Sequence, residues 1–146
     1  MTCGQVMTAD PKCCVPTDST VRAAKMMKIE DVGSLPVCGS RDSKRLVGII
    51  TDRDLALQVV AEGRDPNSTL LQDVMTREPF TCRTDEDLQT ALERMESNQI
   101  RRIPVVDGDG KLVGIISQAD IATRTGIPEK TAELVAEISQ PTLANG

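Results

Sequence analysis

The sequence has no histidine, tryptophan or tyrosine, and its 146 residues include only one phenylalanine. Histidine is the commonest general base and metal ligand, so its absence removes many hydrolytic and metal-dependent mechanisms. Without Trp and Tyr there is also little on which nucleic-acid bases could stack. Serine, threonine and cysteine have no evident activating base, and the carboxylates are scattered rather than grouped. We therefore expect no enzyme activity, no bound metal and no required cofactor.

Clustered positive charge and long apolar runs are missing too. The formal net charge is -5, whereas nucleic-acid binding needs clustered Lys and Arg to displace counterions. No apolar run reaches the length of a membrane span. The first residues lack the basic start and apolar centre of a signal peptide. The sequence therefore predicts a cytoplasmic protein that binds neither nucleic acid nor membranes.

Cysteine is present but does not form a recognisable framework. The five cysteines are Cys3, Cys13, Cys14, Cys38 and Cys82. An odd number without a secretion signal argues against structural disulfides. No pair has CxxC spacing, and structural zinc sites use four tightly spaced ligands. We expect mostly buried, unreactive thiols. A redox role stays open because Cys14 and Cys82 occupy equivalent positions of a repeat.

The repeat is the main feature of the sequence. LVGIITDRDL at residues 46–55 recurs as LVGIISQADI at residues 112–121. VMT at residues 6–8 recurs 68 positions later, and LPV at residues 35–37 recurs as IPV at the same offset. The connector before the second LVGII is two residues shorter, as is usual for a surface loop. Internal similarity of this kind indicates two copies of one structural unit.

Each copy predicts the order βαββα. A capped amphipathic helix is followed by a short strand, a polar turn, a second strand and a second helix. We place the two motifs at residues 5–65 and 70–125, and a C-terminal helix at residues 128–140. The predicted class is α+β, with small sheets flanked by helices. Because about 60 residues bury too little surface to be stable alone, we expect a pseudo-twofold pair with a cleft between the copies.

This pattern resembles the tandem CBS-domain pair, or Bateman module. VMT, LPV or IPV, and G-h-h-[ST]-x-x-D occur in the same order in both copies. TDRD at residues 51–54 and NQIRRIPV at residues 98–105 are typical of small bacterial proteins that consist of a CBS pair alone. The resemblance implies a homodimer that binds AMP, ADP or ATP and regulates an unidentified partner in signal transduction. S-adenosylmethionine is an alternative ligand.

The repeated junction permits two interpretations. A hydroxyl followed three residues later by a carboxylate, as in Thr51 and Asp54 or Ser117 and Asp120, is a capping box that needs no ligand. A helix start also attracts phosphate, and a carboxylate one turn in can accept hydrogen bonds from both ribose hydroxyls. The resemblance favours Asp54 and Asp120 as ribose ligands. Gly48, which precedes the first junction, is interpreted as a site of close strand packing.

The resemblance also implies that each site takes its second wall from the other copy. The first predicted site consists of Thr51, Arg53, Asp54, Pro79, Phe80, Thr81, Ile100, Arg101, Arg102 and Pro104. The second consists of Ser117 and Asp120 with Lys12, Cys13, Cys14, Val32, Gly33, Ser34 and Pro36.

The two predicted sites differ in charge. The Asp54 site contains Arg53, Arg101 and Arg102, and arginine forks suit phosphate oxygens. The Asp120 site has Lys12 as its only evident cation. We therefore expect tighter nucleotide binding at Asp54. The alternatives are that Arg101 and Arg102 pair with surface carboxylates, that the protein is a ligand-independent dimeric interaction protein, or that it senses redox state.

Overall fold

A computed structural model of the chain describes residues 1–125, so the predicted helix at residues 128–140 lies outside the described residues. The chain forms two compact units. The middle unit is Lys12–Pro79, and the N/C unit combines Met1–Pro11 with the described residues 80–125. The VMT segment of each repeat therefore lies in the unit that contains the other repeat's helices.

Short helices and strands make up the described residues, and their mixture confirms the α+β prediction. The helices are α1 (Cys3–Val6), α2 (Thr20–Glu30), α3 (Asp52–Leu55), α4 (Leu71–Val74), α5 (Leu88–Asn98) and α6 (Gln118–Thr125). The strands are β1 (Thr8–Ala9), β2 (Ser34–Cys38), β3 (Leu46–Thr51), β4 (Thr76–Arg77), β5 (Cys82–Arg83), β6 (Arg102–Val106) and β7 (Leu112–Ser117). A π-helical turn, Ala56–Val60, continues α3.

The middle unit is built on a three-stranded antiparallel sheet in the order β2-β3-β4. Strand β3 pairs with β2 through Leu35 and Ile50, and with β4 through Ile49 and Thr76. The apolar, β-branched run of β3 favours a strand because these side chains pack well on a pleated surface. Ile50 is fully buried, and Leu71 of α4 joins it in the core.

The N/C unit repeats this arrangement and adds one strand. Its sheet has the order β1-β7-β6-β5, with β1, β7 and β6 antiparallel and β5 parallel to β6. Cys82 of β5 pairs with Val105. The equivalent pair in the middle unit, Cys14 and Val37, forms an isolated parallel bridge. The core of the N/C unit includes Met95, Ile103 and Ile116, all fully buried.

The predicted helices are confirmed in both copies, whereas α1, β1, α4 and β4 were not predicted because each has only two to four residues. The N-cap of α2 is Ser19, whose side chain accepts a hydrogen bond from the Arg22 N–H. Gly63, which follows the π-helical turn Ala56–Val60, has φ +67. That left-handed conformation is strained for other residues. None of the described helices is long and apolar enough to cross a bilayer.

Glycine at the repeated LVGII positions allows β1 and β4 to approach. A Cβ on Gly48 would lie 2.8 Å from the Thr76 carbonyl oxygen. A Cβ on Gly114 would overlap the Met7 side chain, whose Cγ would be 2.8 Å away. Both distances are shorter than van der Waals contact. The interpretation of Gly48 as a site of close strand packing is confirmed.

Candidate functional site

The strand-to-helix junction of the middle unit is a capping box. Thr51 ends β3 in an extended conformation, and its hydroxyl accepts a hydrogen bond from the Asp54 N–H at 3.0 Å. The Asp54 carboxylate in turn accepts a hydrogen bond from the Thr51 N–H, with Oδ2 at 3.1 Å. This reciprocal pair satisfies two N–H groups at the helix start. The prediction from hydroxyl and carboxylate spacing is confirmed here.

The N/C unit builds the same junction from different side chains. The Asp120 N–H donates to Ser117 Oγ at 3.3 Å, and the Ser117 N–H donates to Asp120 Oδ2 at 3.0 Å. The Ser117 hydroxyl also donates to the same Oδ2 at 3.0 Å. Ser117 is buried, whereas Thr51 is half-buried. Within its own capping box, the Asp120 carboxylate therefore accepts two hydrogen bonds, whereas the Asp54 carboxylate accepts one.

Sequence reasoning missed one pair of residues in these junctions. The Thr8 hydroxyl donates to Asp120 Oδ1 at 2.7 Å. Its repeat equivalent, Thr76, lies 3.3 Å from Asp54 Oδ2 and 3.5 Å from Oδ1. Each aspartate is thus approached by the VMT threonine of the other repeat. The recurrence of VMT was the available signal, but nothing in the sequence pointed from that segment to the aspartates.

The predicted site residues are divided between the two units. The middle unit contains Lys12, Cys13, Cys14, Val32, Gly33, Ser34, Pro36, Thr51, Arg53, Asp54 and Pro79. The N/C unit contains Phe80, Thr81, Ile100, Arg101, Arg102, Pro104, Ser117 and Asp120. Each predicted site draws on both units, and the assembly of its two walls stays a prediction. The two junctions themselves, Thr51 with Asp54 and Ser117 with Asp120, each lie within one unit.

The cations of the two predicted sites have different environments. Arg53 and Arg101 are exposed, and Arg102 is half-buried. Within residues 1–125, none of these three arginines forms an ion pair or a side-chain hydrogen bond. Lys12, by contrast, lies 3.3 Å from a Glu30 carboxylate oxygen. Unpaired guanidinium groups are available to an anion, and the predicted contrast in nucleotide affinity between the two sites stays a prediction.

Position 118 adds a further difference between the junctions. Gln118 starts α6 where Asp52 starts α3. Asp52 Oδ1 accepts a hydrogen bond from the Arg53 N–H at 2.8 Å. The Gln118 Nε2 atom is buried and has no hydrogen-bond partner among the described residues. One junction therefore carries an extra carboxylate, and the other carries an unused amide donor.

Four of the five thiols are buried, which confirms the prediction for most of them. Burial raises the pKa of Cys14 to about 11 and that of Cys38 to about 12. A hydrogen bond with Cys3, together with burial, raises the pKa of Cys82. Because the thiolate is the reactive form, these three groups are poor nucleophiles at neutral pH. The part of the chain that is described contains no group of three or more His, Cys, Asp or Glu side chains able to hold a metal.

Known proteins share this architecture. One relative is Hypoxic response protein 1 of Mycobacterium tuberculosis, 34% identical over 141 residues, which covers 96% of this chain and 95% of the relative. The crystal structure of Hypoxic Response Protein I with two coordinated zinc ions is 35% identical with a TM-score of 0.75, and the match covers 84% of this chain and 97% of that one.

Two further solved structures contain AMP. The CBS domain protein PAE2072 from Pyrobaculum aerophilum complexed with AMP is 25% identical with a TM-score of 0.76, covering 91% of this chain and 99% of that one. CBSX2 in complex with AMP is 28% identical with a TM-score of 0.72, covering 88% and 98%. The sequence profile of the CBS domain matches residues 3–61 and 71–125. The chain therefore belongs to the CBS domain family and carries two CBS segments in tandem.

Proposed function

We propose that the protein is a regulatory module that binds an adenine nucleotide, AMP, ADP or ATP, and thereby changes the activity of a partner protein. The Asp54 junction is the principal binding site. The protein acts as a homodimer in the cytoplasm and catalyses no reaction. Whether a nucleotide is bound determines how the module acts on its partner protein.

One observation carries this proposal. Asp54 is a half-buried carboxylate at a strand-to-helix junction, and among the described residues its Oδ1 has a hydrogen-bond partner only in the Thr76 hydroxyl, at 3.5 Å. A carboxylate oxygen with open acceptor positions can take a ribose hydroxyl. Arg53, on the same junction, is exposed and can reach a phosphate. Binding of AMP by PAE2072 and CBSX2 supports the choice of ligand.

Isothermal titration calorimetry tests the proposal without an intrinsic tryptophan probe. AMP, ATP and S-adenosylmethionine are titrated into the wild type and into Asp54→Asn, which keeps an oxygen for the cap but removes the carboxylate. Hydrogen bonds to a charged group contribute about 1.5–3 kcal/mol, so we expect the Kd of the preferred nucleotide to rise about 10- to 100-fold. Asp42→Asn, the same change on an exposed turn residue, should leave the Kd unchanged.

The contribution of the phosphate group to nucleotide affinity is tested with a separate variant. Arg102→Ala should weaken ATP and AMP but leave the weaker binding of adenosine unchanged, because adenosine has no phosphate to contact. If neither Asp54→Asn nor Arg102→Ala alters nucleotide affinity, the proposed site is wrong. If no nucleotide binds to the wild type, a ligand-independent interaction protein is the better description.

A further inference from the structure

The two junction aspartates differ in the lengths of the hydrogen bonds that they already accept. Asp120 accepts three bonds at 3.0 Å or less: two from Ser117 to Oδ2, and one from the Thr8 hydroxyl to Oδ1. Asp54 accepts one bond of similar length, from the Thr51 N–H. Its contacts with Thr76 are 3.3 and 3.5 Å long. The two additional short bonds at Asp120 come from the hydroxyl groups of Ser117 and Thr8.

The backbone does not explain this difference. Thr8 pairs with Ile115 of β7, and Thr76 pairs with the equivalent Ile49 of β3. Both threonines are exposed, and both stand beside the strand that leads into the junction. The same register therefore presents the same hydroxyl to each aspartate. Thr8 nevertheless donates to Asp120 Oδ1 at 2.7 Å, whereas Thr76 lies 3.3 Å from Asp54 Oδ2.

A ribose needs acceptors that are still open. Its 2′- and 3′-hydroxyls donate best to a carboxylate whose two oxygens have free lone pairs, of which an ionised carboxylate has about four. At Asp120 three are used by short bonds, and the bond from Thr8 is charge-assisted and therefore strong. At Asp54 only one short bond is present. A ligand at Asp120 must displace the Thr8 hydroxyl, whereas a ligand at Asp54 need not displace a short bond.

We propose that the VMT threonines determine which junction accepts a nucleotide: Thr8 occupies Asp120 and keeps it from a ribose, while Thr76 leaves Asp54 available. This inference rests on the proposed function. It assigns a specificity-determining role to two residues outside the predicted sites. It also goes beyond the difference in arginines, because it predicts that the Asp120 junction can be released by a single change.

Calorimetry with AMP tests the inference through stoichiometry and affinity together. The wild type should bind one AMP per chain. Thr8→Val, which keeps the β-branched shape but removes the hydroxyl, should bind two. In an Asp54→Asn background, where binding at the Asp54 junction is weakened, Thr8→Val should raise the affinity for AMP at least about tenfold, as expected for the loss of one competing charge-assisted bond.

Two matched variants separate the role of the hydroxyl from an effect on folding. Thr8→Ser keeps the hydroxyl and should behave as the wild type. Thr76→Val, the equivalent change in the middle unit, should alter the affinity of the Asp54 site less than about threefold, because only long contacts are lost. Melting temperatures without ligand check that each variant is folded. Thr8→Ala replaces Thr8→Val if the latter is not.

The outcomes distinguish this inference from the proposed function. If the wild type binds AMP through Asp54 but Thr8→Val gains no second site, the inference is wrong and the proposed function stands. Two AMP molecules bound per wild-type chain would also overturn the inference. If AMP, ADP and ATP all fail to bind both the wild type and Thr8→Val, the inference and the proposed function are both wrong.

Discussion

The middle unit and the N/C unit share a backbone plan but differ at the positions that could do chemistry. In both, a short VMT strand pairs beside an LVGII strand, which then enters a helix through a capping box. The side chains at the junction differ: Thr51, Asp52 and Arg53 in one copy stand where Ser117, Gln118 and Ala119 stand in the other. The strand register and the capping boxes are therefore kept although the substituted side chains change the charge of the junction and its number of hydrogen-bond acceptors.

The turns before the two long helices, α2 and α5, also share a local structure but differ in their ion pairs. Asp18 and Glu86 are repeat equivalents, and each accepts a hydrogen bond from the N–H three residues earlier, at 3.0 and 2.9 Å. Asp18 also lies 3.9 Å from Arg22 of α2, but the shortest ion pairs of the two carboxylates have different origins. Arg41, in the longer β2–β3 connector, donates to Asp18 at 3.0 Å, whereas Arg94 of α5 pairs with Glu86 at 3.2 Å. The local turn is retained, and the tertiary partner is replaced.

Truncation at the equivalent positions of α1 and α4 should show the largest difference between the units. Cys3 and Leu71 are both fully buried, but Leu71 is the larger side chain. Leu71→Ala should lower the free energy of unfolding by about 2–5 kcal/mol, since buried Leu→Ala leaves a cavity. Cys3→Ala should cost about 1 kcal/mol, because only a sulfur is removed. Urea unfolding of both variants measures this, and equal losses would contradict the comparison.

Adding a methyl group to the two strand glycines should give a smaller difference. Gly48→Ala meets the Thr76 backbone carbonyl, which moves only if strand β4 moves. Gly114→Ala meets the Met7 side chain, which can rotate away. Overpacking costs about 1–3 kcal/mol, and we expect Gly48→Ala at the upper end and Gly114→Ala at the lower. Thermal unfolding of the two variants decides the order, and the reverse order would show that Met7 is held rigidly.

The Glu86 carboxylate in the turn before α5 should give the smallest effect, and that effect should depend on pH. The Arg94 hydrogen bond holds the pKa of Glu86 below its ordinary value of 4.5. The ionised form thus favours the folded state above that pH, and its contribution disappears as the pH falls through the lowered pKa. Because both side chains are partly exposed, Glu86→Gln should cost only about 0.5–1 kcal/mol at pH 7. Urea titrations at pH 7 and pH 3 measure this, and an equal cost at both would contradict it.

Local features of the site could be predicted from the sequence because they depend on neighbouring residues. Thr51 and Asp54 are three positions apart, so a helix start brings them together wherever the segment lies in the fold. The same holds for Ser117 and Asp120. The approach of Thr8 to Asp120 was not predictable in this way, because the two residues belong to different repeats. The ion pair of Lys12 with Glu30 was equally invisible, since it needs the position of α2.

The sequence by itself determined the duplication, the βαββα order of each repeat, the two capping boxes and membership of the CBS domain family. Periodicity and capping are local, so they survive without knowledge of the fold. Only the tertiary structure decided that residues 1–11 join the second repeat, and that β4 joins the first. Strand pairing depends on contacts between residues that are far apart in the sequence. Here Met7 packs against Gly114, and the Thr76 backbone packs against Gly48. That exchange brings Thr8 to Asp120 and Thr76 to Asp54 in the same register. The hydroxyl distances of 2.7 and 3.3 Å then distinguish two junctions with the same sequence pattern.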